Sequence, residues 1–197
     1  MGWSGRGLQH TQGRDVPGGG FIDVYVNVKL ESGGSFRPTA PFSAMPQTDF
    51  VVRSPDYERR VRDSFARQGV MGTLGATLLR VQPGEVEIGL AWAPGLTQQH
   101  GFLHAGVVST ALDSACGYAG FTLMAPDAAV LTIEFKVNLL APARGQQFRM
   151  VGRVLKPGRT ITVTEGQAFA IDQGRETLVA TMNATLMAIT GRADVQG

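Results

Sequence analysis

The sequence contains a single cysteine, Cys116. One cysteine cannot form a disulfide within the chain, so the fold does not depend on one. Cys116 lies in an apolar run with no histidine beside it, and a reactive thiolate needs a neighbouring base or cation. We therefore interpret it as a buried, inert thiol. A chain without disulfides is typical of the cytoplasm, and we predict that location.

Charged residues are also few. They make up 17% of the 197 residues, and the formal net charge is only +2. Nucleic-acid binding calls for a concentrated basic surface, and the lysines and arginines form no block, so we do not expect a nucleic-acid partner. Hydrophobic residues make up 43%, which suits a globular domain with a real core.

The first part of the chain differs from the rest. Residues 1–44 are rich in glycine and lack the basic head and apolar core of a secretion signal. Such a composition is typical of a flexible segment, and Met45 opens a stretch that reads as a natural start. We predict a flexible extension at 1–44, which an early start-codon assignment would explain. One domain at 45–190 and a tail at 191–197 would follow it.

The most informative stretch runs from Gln98 to Met124. From Ala105 onward it is nearly all apolar or small, with Asp113 as its only carboxylate. A transmembrane span needs about 20 apolar residues, but a carboxylate at mid-membrane is unfavourable. The run is rich in glycine, alanine and serine, which let a neighbouring backbone come close. We therefore predict a buried helix packed against a sheet, and no membrane span.

The spacing within this helix constrains any chemistry. A helix that begins near Ala105 has unpaired N–H groups and a positive dipole end there, which suit an oxyanion. Asp113 lies nine residues after His104 (113 − 104), which is about 13 Å along a helix axis. A general base must lie about 3 Å from the proton that it removes. If both groups are catalytic, the site must combine two chains whose helices run antiparallel.

Other patterns predict the remaining elements. Ser54-Pro55-Asp56 is a helix start with Ser54 as N-cap, and the arginines that follow form a solvated face or, as an alternative, meet a ligand phosphate: Arg59, Arg60, Arg62 and Arg67. Alternation predicts strands at 70–80, 85–92, 131–139, 148–156, 160–172 and 177–189. One face of the second strand is predicted to be buried through Val86, Ile88, Leu90 and Trp92. In the third strand, one face is predicted to carry Leu131, Ile133, Phe135, Val137 and Leu139. This order of elements is α+β, with a helix on a mostly antiparallel sheet.

Three motifs resemble a known family. His104-Ala105-Gly106 with Leu112-Asp113-Ser114-Ala115 resembles the H-G-G-x(5)-L-x-D motif of hotdog-fold thioesterases of the PaaI-like, phenylacetate-degradation family. The segment TIEFKVNLLAPA, residues 132–143, resembles that family's T-x-E/D-x-K-x-N-F-L-x-P-A strand, and Lys156-Pro157-Gly158-Arg159 resembles its next hairpin. The resemblance covers about residues 54–189. Ala105 departs from the motif, because a methyl group is added where the family has glycine.

The resemblance implies a hotdog fold, in which a sheet of about six strands wraps a long helix, and hydrolysis of an acyl-CoA thioester. Asp113 would act as general base or as nucleophile, and Thr132 would hold the attacking water. The N–H of Gly106, together with that of Ala105, would polarise the carbonyl, while His104 would position the substrate or cap the helix. CoA is part of the substrate, and no cofactor is implied.

Further residues have roles that the sequence leaves open. Gln98 or Gln99 would donate to the carbonyl, as the family's Asn-type donor does. The CoA phosphates need cations, for which the candidates are Lys136, Arg144, Lys156 and Arg159, although each of them is explained more simply as a surface charge. The acyl pocket should be apolar, with candidates that are equally explained as core residues: Tyr118, Phe121, Leu123 and Met124.

The sequence also leaves two functions other than thioester hydrolysis open. A hotdog enoyl-CoA hydratase or dehydratase usually needs an Asp/His pair on one substrate. A non-catalytic acyl-CoA or lipid-binding module would use Asp113 structurally. His100 and His104 have the i, i+4 spacing of zinc helices but no E-x-x-H context, so we predict no metal site. For the thioesterase we expect a homodimer or a dimer of dimers with a composite site.

Overall fold

The protein is described here by a computed structural model that covers residues 50–192. The predicted extension at 1–44 lies outside the described residues, as does the tail from residue 193 onward. None of the helices within residues 50–192 is long and apolar enough to cross a membrane.

The described residues form three α-helices and six strands. The helices are α1 (Tyr57–Arg67), α2 (Gly69–Leu74) and α3 (Ala105–Phe121). The strands are β1 (Thr77–Gln82), β2 (Glu85–Ala91), β3 (Ala129–Leu139), β4 (Gln147–Lys156), β5 (Ile161–Asp172) and β6 (Arg175–Ile189). All neighbouring strands pair antiparallel in one sheet of order β1-β2-β4-β5-β6-β3. The predicted α+β architecture of one long helix on a six-stranded sheet is confirmed.

Helix α3 lies directly on the sheet because small residues line the contact. A Cβ atom at Gly152 of β4 would lie 2.3 Å from the backbone carbonyl of Ala115, and one at Gly166 of β5 would lie 2.9 Å from the Cys116 sulfur. Cys116 is buried, and burial raises the pKa of its thiol to about 12. The thiol therefore stays protonated, as the predicted inert role requires.

Helix α1 begins later than predicted. Asp56, not Ser54, is the N-cap residue, and the Ser54 hydroxyl donates to the Asp56 carboxylate at 2.5 Å. The predicted solvated arginine face is wrong for Arg60, whose guanidinium donates to the Ala128 carbonyl at 3.0 Å and lies over the Phe121 ring. Val61 of the same helix is fully buried in the core.

The strand predicted at 70–80 is wrong in its first half. Residues Gly69–Leu74 form α2, and Gly75, at φ +65°, caps this helix in the left-handed conformation. β1 begins only at Thr77. A short apolar run fits a helix or a strand equally well, and the Gly75 cap selects the helix.

Two predicted buried faces also need correction. Trp92 lies beyond the end of β2 and is 41% exposed, with its indole N–H donating to the Gly101 carbonyl at 3.2 Å. In β3 the pairing with β6 shifts register between Thr132 and Glu134. This bulge turns Leu131 to the face opposite Phe135, because an extra residue reverses the alternation.

Candidate active site

Asp113 lies in the middle of α3, where the helix passes the start of the edge strand β3. Its side chain is partly buried, and its Oδ1 accepts a hydrogen bond from the Thr132 hydroxyl at 2.8 Å. The β3 bulge follows Thr132 directly and leaves that side chain on the helix-facing side of the sheet. The structure therefore brings together two of the predicted site residues from elements that are distant in sequence.

The electrostatics of Asp113 suit a base. Burial raises the pKa of this carboxyl, and the hydrogen bond from Thr132 opposes that rise only in part. A raised pKa makes a carboxylate a better proton acceptor near neutral pH. Perturbed carboxyls of this kind in clefts are typical of functional sites.

A cleft of about 310 Å³ opens beside Asp113. Its walls come from α1, α3 and β3, and the lining residues are Ser64, Arg67, Gln68, Asp113, Ser114, Gly117, Tyr118, Val130 and Thr132. The Ser114 hydroxyl donates to the Gln68 side-chain oxygen at 3.3 Å. For three of the candidates for an apolar pocket, the structure selects the alternative that the sequence left open: Phe121, Leu123 and Met124 are buried in the core. Of that predicted set, only Tyr118 lines the cleft.

Of the α1 residues that line this cleft, Ser64 was missed at the sequence level, and Arg67 was named only within a set that forms a solvated face or meets a ligand phosphate. Ser64 and Arg67 are three positions apart, so both lie on one face of α1. The Ser64 hydroxyl lies 3.4 Å from the Tyr118 hydroxyl. The i, i+3 spacing was visible in the sequence, but nothing there indicated that this face meets α3.

The N-terminus of α3 is capped by His104. The His104 Nδ1 accepts a hydrogen bond from the Gly106 N–H at 2.9 Å, and its carbonyl accepts from the N–H groups of Val107 and Val108. In a neutral imidazole, an accepting Nδ1 leaves the proton on Nε2. The His104 side chain is exposed, so this Nε2–H is available as a donor beside the helix end.

The cap changes which N–H can meet a substrate. The predicted donor, Gly106, already gives its N–H to His104. Within residues 50–192 no group accepts from the N–H of Ala105, the first residue of the helix. The residue at which the chain departs from the family motif is therefore the one at the capped end whose N–H has no acceptor within residues 50–192.

The glutamines before His104 serve their own loop. The Gln98 side-chain oxygen accepts from the His100 N–H, and the Gln98 N–H donates to the Phe102 carbonyl at 2.9 Å. The Gln99 side-chain nitrogen lies 3.4 Å from the His100 ring. The Gln98 oxygen is therefore bonded within the loop that presents His104, and donation from the Gln98 side-chain N–H to a carbonyl stays a prediction.

The predicted CoA-binding cations differ in setting. Arg144 stacks on the Phe102 ring at 5.2 Å and lines a second cavity of about 350 Å³. This cavity adjoins the His104 loop, since the Leu103 N–H donates to the Ala143 carbonyl at 3.0 Å. Its lining residues are Trp92, His100, Gly101, Phe102, Arg144, Gly145, Gln146 and Asp172. Lys136, Lys156 and Arg159 are exposed and line neither cavity.

No three His, Cys, Asp or Glu side chains of residues 50–192 come together as a metal site would require.

Within one chain, the candidate base Asp113 lies far from the capped N-terminus of α3, where an oxyanion would bind. Asp113 and the capped end belong to one unbroken helix, so nine residues (113 − 104) separate them by about 13 Å.

Comparison with known proteins gives this geometry a context. A sequence model described as the thioesterase superfamily matches residues 100–177. A solved structure of a thioesterase family protein from Silicibacter pomeroyi is 59% identical, covers 68% of this chain and 99% of that chain, and has a TM-score of 0.68. The E. coli PaaI protein from the phenylacetic acid degradation operon is 16% identical, covers 71% and 97%, and has a TM-score of 0.62, which shows a shared fold.

Among curated proteins, one from Saccharolobus solfataricus that is named as an esterase is 30% identical over 93 residues. The match takes in 47% of this chain and 65% of that relative, so the chain spans less than two thirds of its length.

Proposed function

Because the chain belongs to the thioesterase superfamily, a family of thioester hydrolases, we propose that it hydrolyses an acyl-CoA thioester to the free acid and CoA. One observation carries the proposal: the partly buried Asp113 carboxylate, with its pKa raised by burial, lies in a cleft and is held by the Thr132 hydroxyl. A base in that state accepts a proton from water near neutral pH.

In the general-base route, Asp113 removes a proton from water and the water oxygen attacks the thioester carbonyl carbon. The oxyanion that forms accepts hydrogen bonds from the Ala105 N–H and the His104 Nε2–H. Collapse of the tetrahedral intermediate breaks the carbon–sulfur bond, and the leaving thiolate takes the proton from Asp113. In the nucleophilic route, the Asp113 carboxylate attacks the thioester carbonyl carbon, the carbon–sulfur bond breaks and the CoA thiolate leaves. Water then attacks the Asp113 carbonyl carbon of the resulting anhydride, which releases the free acid and restores the carboxylate. Single turnover in isotopically labelled water distinguishes them, because only the nucleophilic route leaves label in the Asp113 carboxylate.

We infer a composite site from two chains. The separation of about 13 Å within α3 prevents Asp113 from serving a carbonyl at its own capped end. β3 is a sheet edge with exposed apolar side chains at Ile133 and Phe135, and such an edge readily pairs with another strand. Two chains joined antiparallel along β3 would bring Asp113 of each toward the Ala105 end of the other.

Complementation tests this arrangement. Coexpressed Asp113→Asn and Ala105→Pro chains should regain about a quarter of wild-type activity. Random pairing makes about half of all dimers heterodimers, and each heterodimer has one of its two sites built from an intact Asp113 and an intact Ala105. An active monomer, or mixed chains with no more activity than either parent, would overturn the two-chain site.

We propose Arg144 as the cation that binds a CoA phosphate. It lines the cavity beside the His104 loop, and Phe102 holds its guanidinium plane. Arg144→Gln should raise KM for acyl-CoA about 10-fold or more while kcat changes little, because a phosphate contact far from the carbonyl contributes uniform binding. Lys136→Gln is a matched control at a cation outside both cavities.

The decisive experiment uses the purified full chain, a panel of acyl-CoA thioesters and a thiol-detecting dye. Asp113→Asn should lower turnover about 100-fold or more while the circular dichroism spectrum stays unchanged. Asp127→Asn, at an exposed acid outside the cleft, should remain active. Loss of enoyl absorption without thiol release would instead indicate the hydratase, and binding without either reaction would indicate a non-catalytic module.

A further inference from the structure

The cleft beside Asp113 is unusually polar for a site that receives an acyl chain. Hydroxyl groups, an amide and a guanidinium contribute most of its lining, through Ser64, Arg67, Gln68, Ser114 and Tyr118. An aliphatic chain placed there would take these groups away from water without offering them hydrogen bonds, which is unfavourable. A volume of about 310 Å³ is at the lower end of small-molecule pockets, so the group that fits is short.

The two ends of the cleft carry different charge. At one end, the Asp113 carboxylate accepts a hydrogen bond from the Thr132 hydroxyl, and burial raises the pKa of Asp113. At the other end, burial raises the pKa of the Tyr118 phenol, while the Ser64 hydroxyl and the charge of Arg67 oppose that rise. Asp113 and Tyr118 are five residues apart (118 − 113) on α3, which is about 7.5 Å along the axis. The Arg67 guanidinium reaches the carbonyl of Asp63, next to Ser64, whose hydroxyl lies 3.4 Å from the Tyr118 hydroxyl, so the positive charge lies at the Tyr118 end of the cleft.

We propose that this cleft receives an acyl group that itself ends in a carboxylate, such as the half-thioester of a short dicarboxylic acid, and that Arg67 binds that far carboxylate. The inference rests on the proposed thioesterase function and specifies its substrate class. A guanidinium offers N–H donors in a planar fork that matches a carboxylate. The Tyr118 and Ser64 hydroxyls supply further donors at the same end of the cleft.

The same arrangement fixes the orientation of the substrate. The far carboxylate is repelled by Asp113 and attracted by Arg67, so it occupies the Arg67 end and leaves the thioester carbonyl near Asp113. Arg67 is held in place by α1 itself, since its guanidinium donates to the Asp63 carbonyl at 3.1 Å. A neutral chain of equal length gains neither the attraction nor the orientation.

Two thioesters of matched length test the proposal: glutaryl-CoA, which ends in a carboxylate, and hexanoyl-CoA, which ends in a methyl group. The wild-type chain should have a kcat/KM for glutaryl-CoA about 10-fold or more above that for hexanoyl-CoA. Arg67→Gln should lower this ratio about 10-fold or more, and Arg67→Lys should restore part of it by keeping the charge. Arg62→Gln, on the same helix but ion-paired with Glu58 outside the cleft, should leave the ratio unchanged.

A second variant examines the cleft without changing charge. A side chain at Gly117 meets no atom within 4 Å at its Cβ position, so Gly117→Leu projects into the cleft. It should lower kcat/KM for glutaryl-CoA more than for acetyl-CoA, because only the longer acyl group reaches past that point.

The outcomes separate this inference from the function on which it rests. A wild-type chain that cleaves hexanoyl-CoA as well as glutaryl-CoA overturns the inference and leaves the thioesterase standing, as does an Arg67→Gln variant that lowers both rates equally. A chain that cleaves other thioesters, but neither glutaryl-CoA nor hexanoyl-CoA, also overturns the inference and leaves the thioesterase function standing. A chain that cleaves no thioester overturns both.

Discussion

The Thr132 hydroxyl donates a hydrogen bond to the Asp113 carboxylate at 2.8 Å, from the edge strand β3 to the central helix α3. The bond stabilises the ionised form of an acid whose pKa burial raises. It therefore sets the pH at which Asp113 becomes available as a base. The edge strand thus contributes directly to the chemistry that we propose for the helix.

Replacing Thr132 should move the pH profile. In Thr132→Val the carboxylate loses its donor, so the pKa of Asp113 rises further. Because the ionised form is the active one, the acid limb of kcat/KM should shift to higher pH, with lower activity at pH 6 than at pH 8 relative to wild type. Thr132→Ser keeps the hydroxyl and should keep the wild-type profile. A Thr132→Val limb at or below the wild-type pH would contradict the assigned bond.

Asp113 should also reduce stability at neutral pH. A carboxyl whose pKa in the folded state lies above its ordinary value of 3.8 stabilises the fold below pH 3.8, and this contribution is lost as pH rises through the pKa of the folded state. Asp113→Asn removes this dependence. The variant should therefore have a higher Tm than wild type at pH 8, and the difference should shrink as pH falls toward 4, measured by thermal unfolding at each pH. A destabilised Asp113→Asn at pH 8 would indicate a structural acid.

The N–H of Ala105, which has no acceptor within residues 50–192, can be removed without breaking the helix. Proline is tolerated at the first helical position, and His104, at φ −64° and ψ 139°, already has the extended conformation that a following proline requires. Ala105→Pro should lower kcat about 100-fold or more by deleting an oxyanion donor, while Tm stays close to wild type. Ala105→Ser retains the N–H and should retain activity. Full turnover by Ala105→Pro would remove this donor from the mechanism.

The close contact between α3 and β4 predicts a stability effect. A Cβ at Gly152 would lie 2.3 Å from the Ala115 carbonyl carbon and oxygen, which are backbone atoms of the helix. Gly152→Ala should lower the free energy of unfolding by about 1–3 kcal/mol through overpacking. Gly72→Ala in α2 meets no atom within 4 Å and should be neutral or slightly stabilising. Chemical denaturation measures both; equal effects would contradict the contact.

Several sequence predictions are confirmed. The buried helix predicted from Ala105 is α3, and the predicted family and hotdog fold agree with the comparisons. The helix follows from a local signal, because the apolar and small residues of the run are properties of the chain itself, whereas the family and the hotdog fold follow from the resemblance of three motifs. The strand error near Val70 arose where the local signal fits two structures equally well, and the left-handed Gly75 decided the outcome.

The sequence could not indicate that the cleft beside Asp113 is lined mainly by polar groups. Its walls combine Ser64 and Arg67 of α1 with Tyr118 of α3, and no local pattern reports which helix faces meet. For the same reason the sequence left Phe121 open as a pocket or a core residue, and packing places it in the core. The Gly106 N–H was predicted to be the donor, but only the rotamer of His104 determines whether that N–H is already bonded.

By itself, the sequence determined that one acid lies in a small-residue helix, and that nine residues (113 − 104) separate it from the helix start. Helical rise alone then requires a site built from more than one chain if both groups are catalytic. Tertiary structure decided which groups surround that acid: the bulge in β3 turns Thr132 toward it, and the packing of α1 on α3 places Arg67 in its cleft. These contacts join residues far apart in the chain, so they depend on how the elements pack and not on any local pattern.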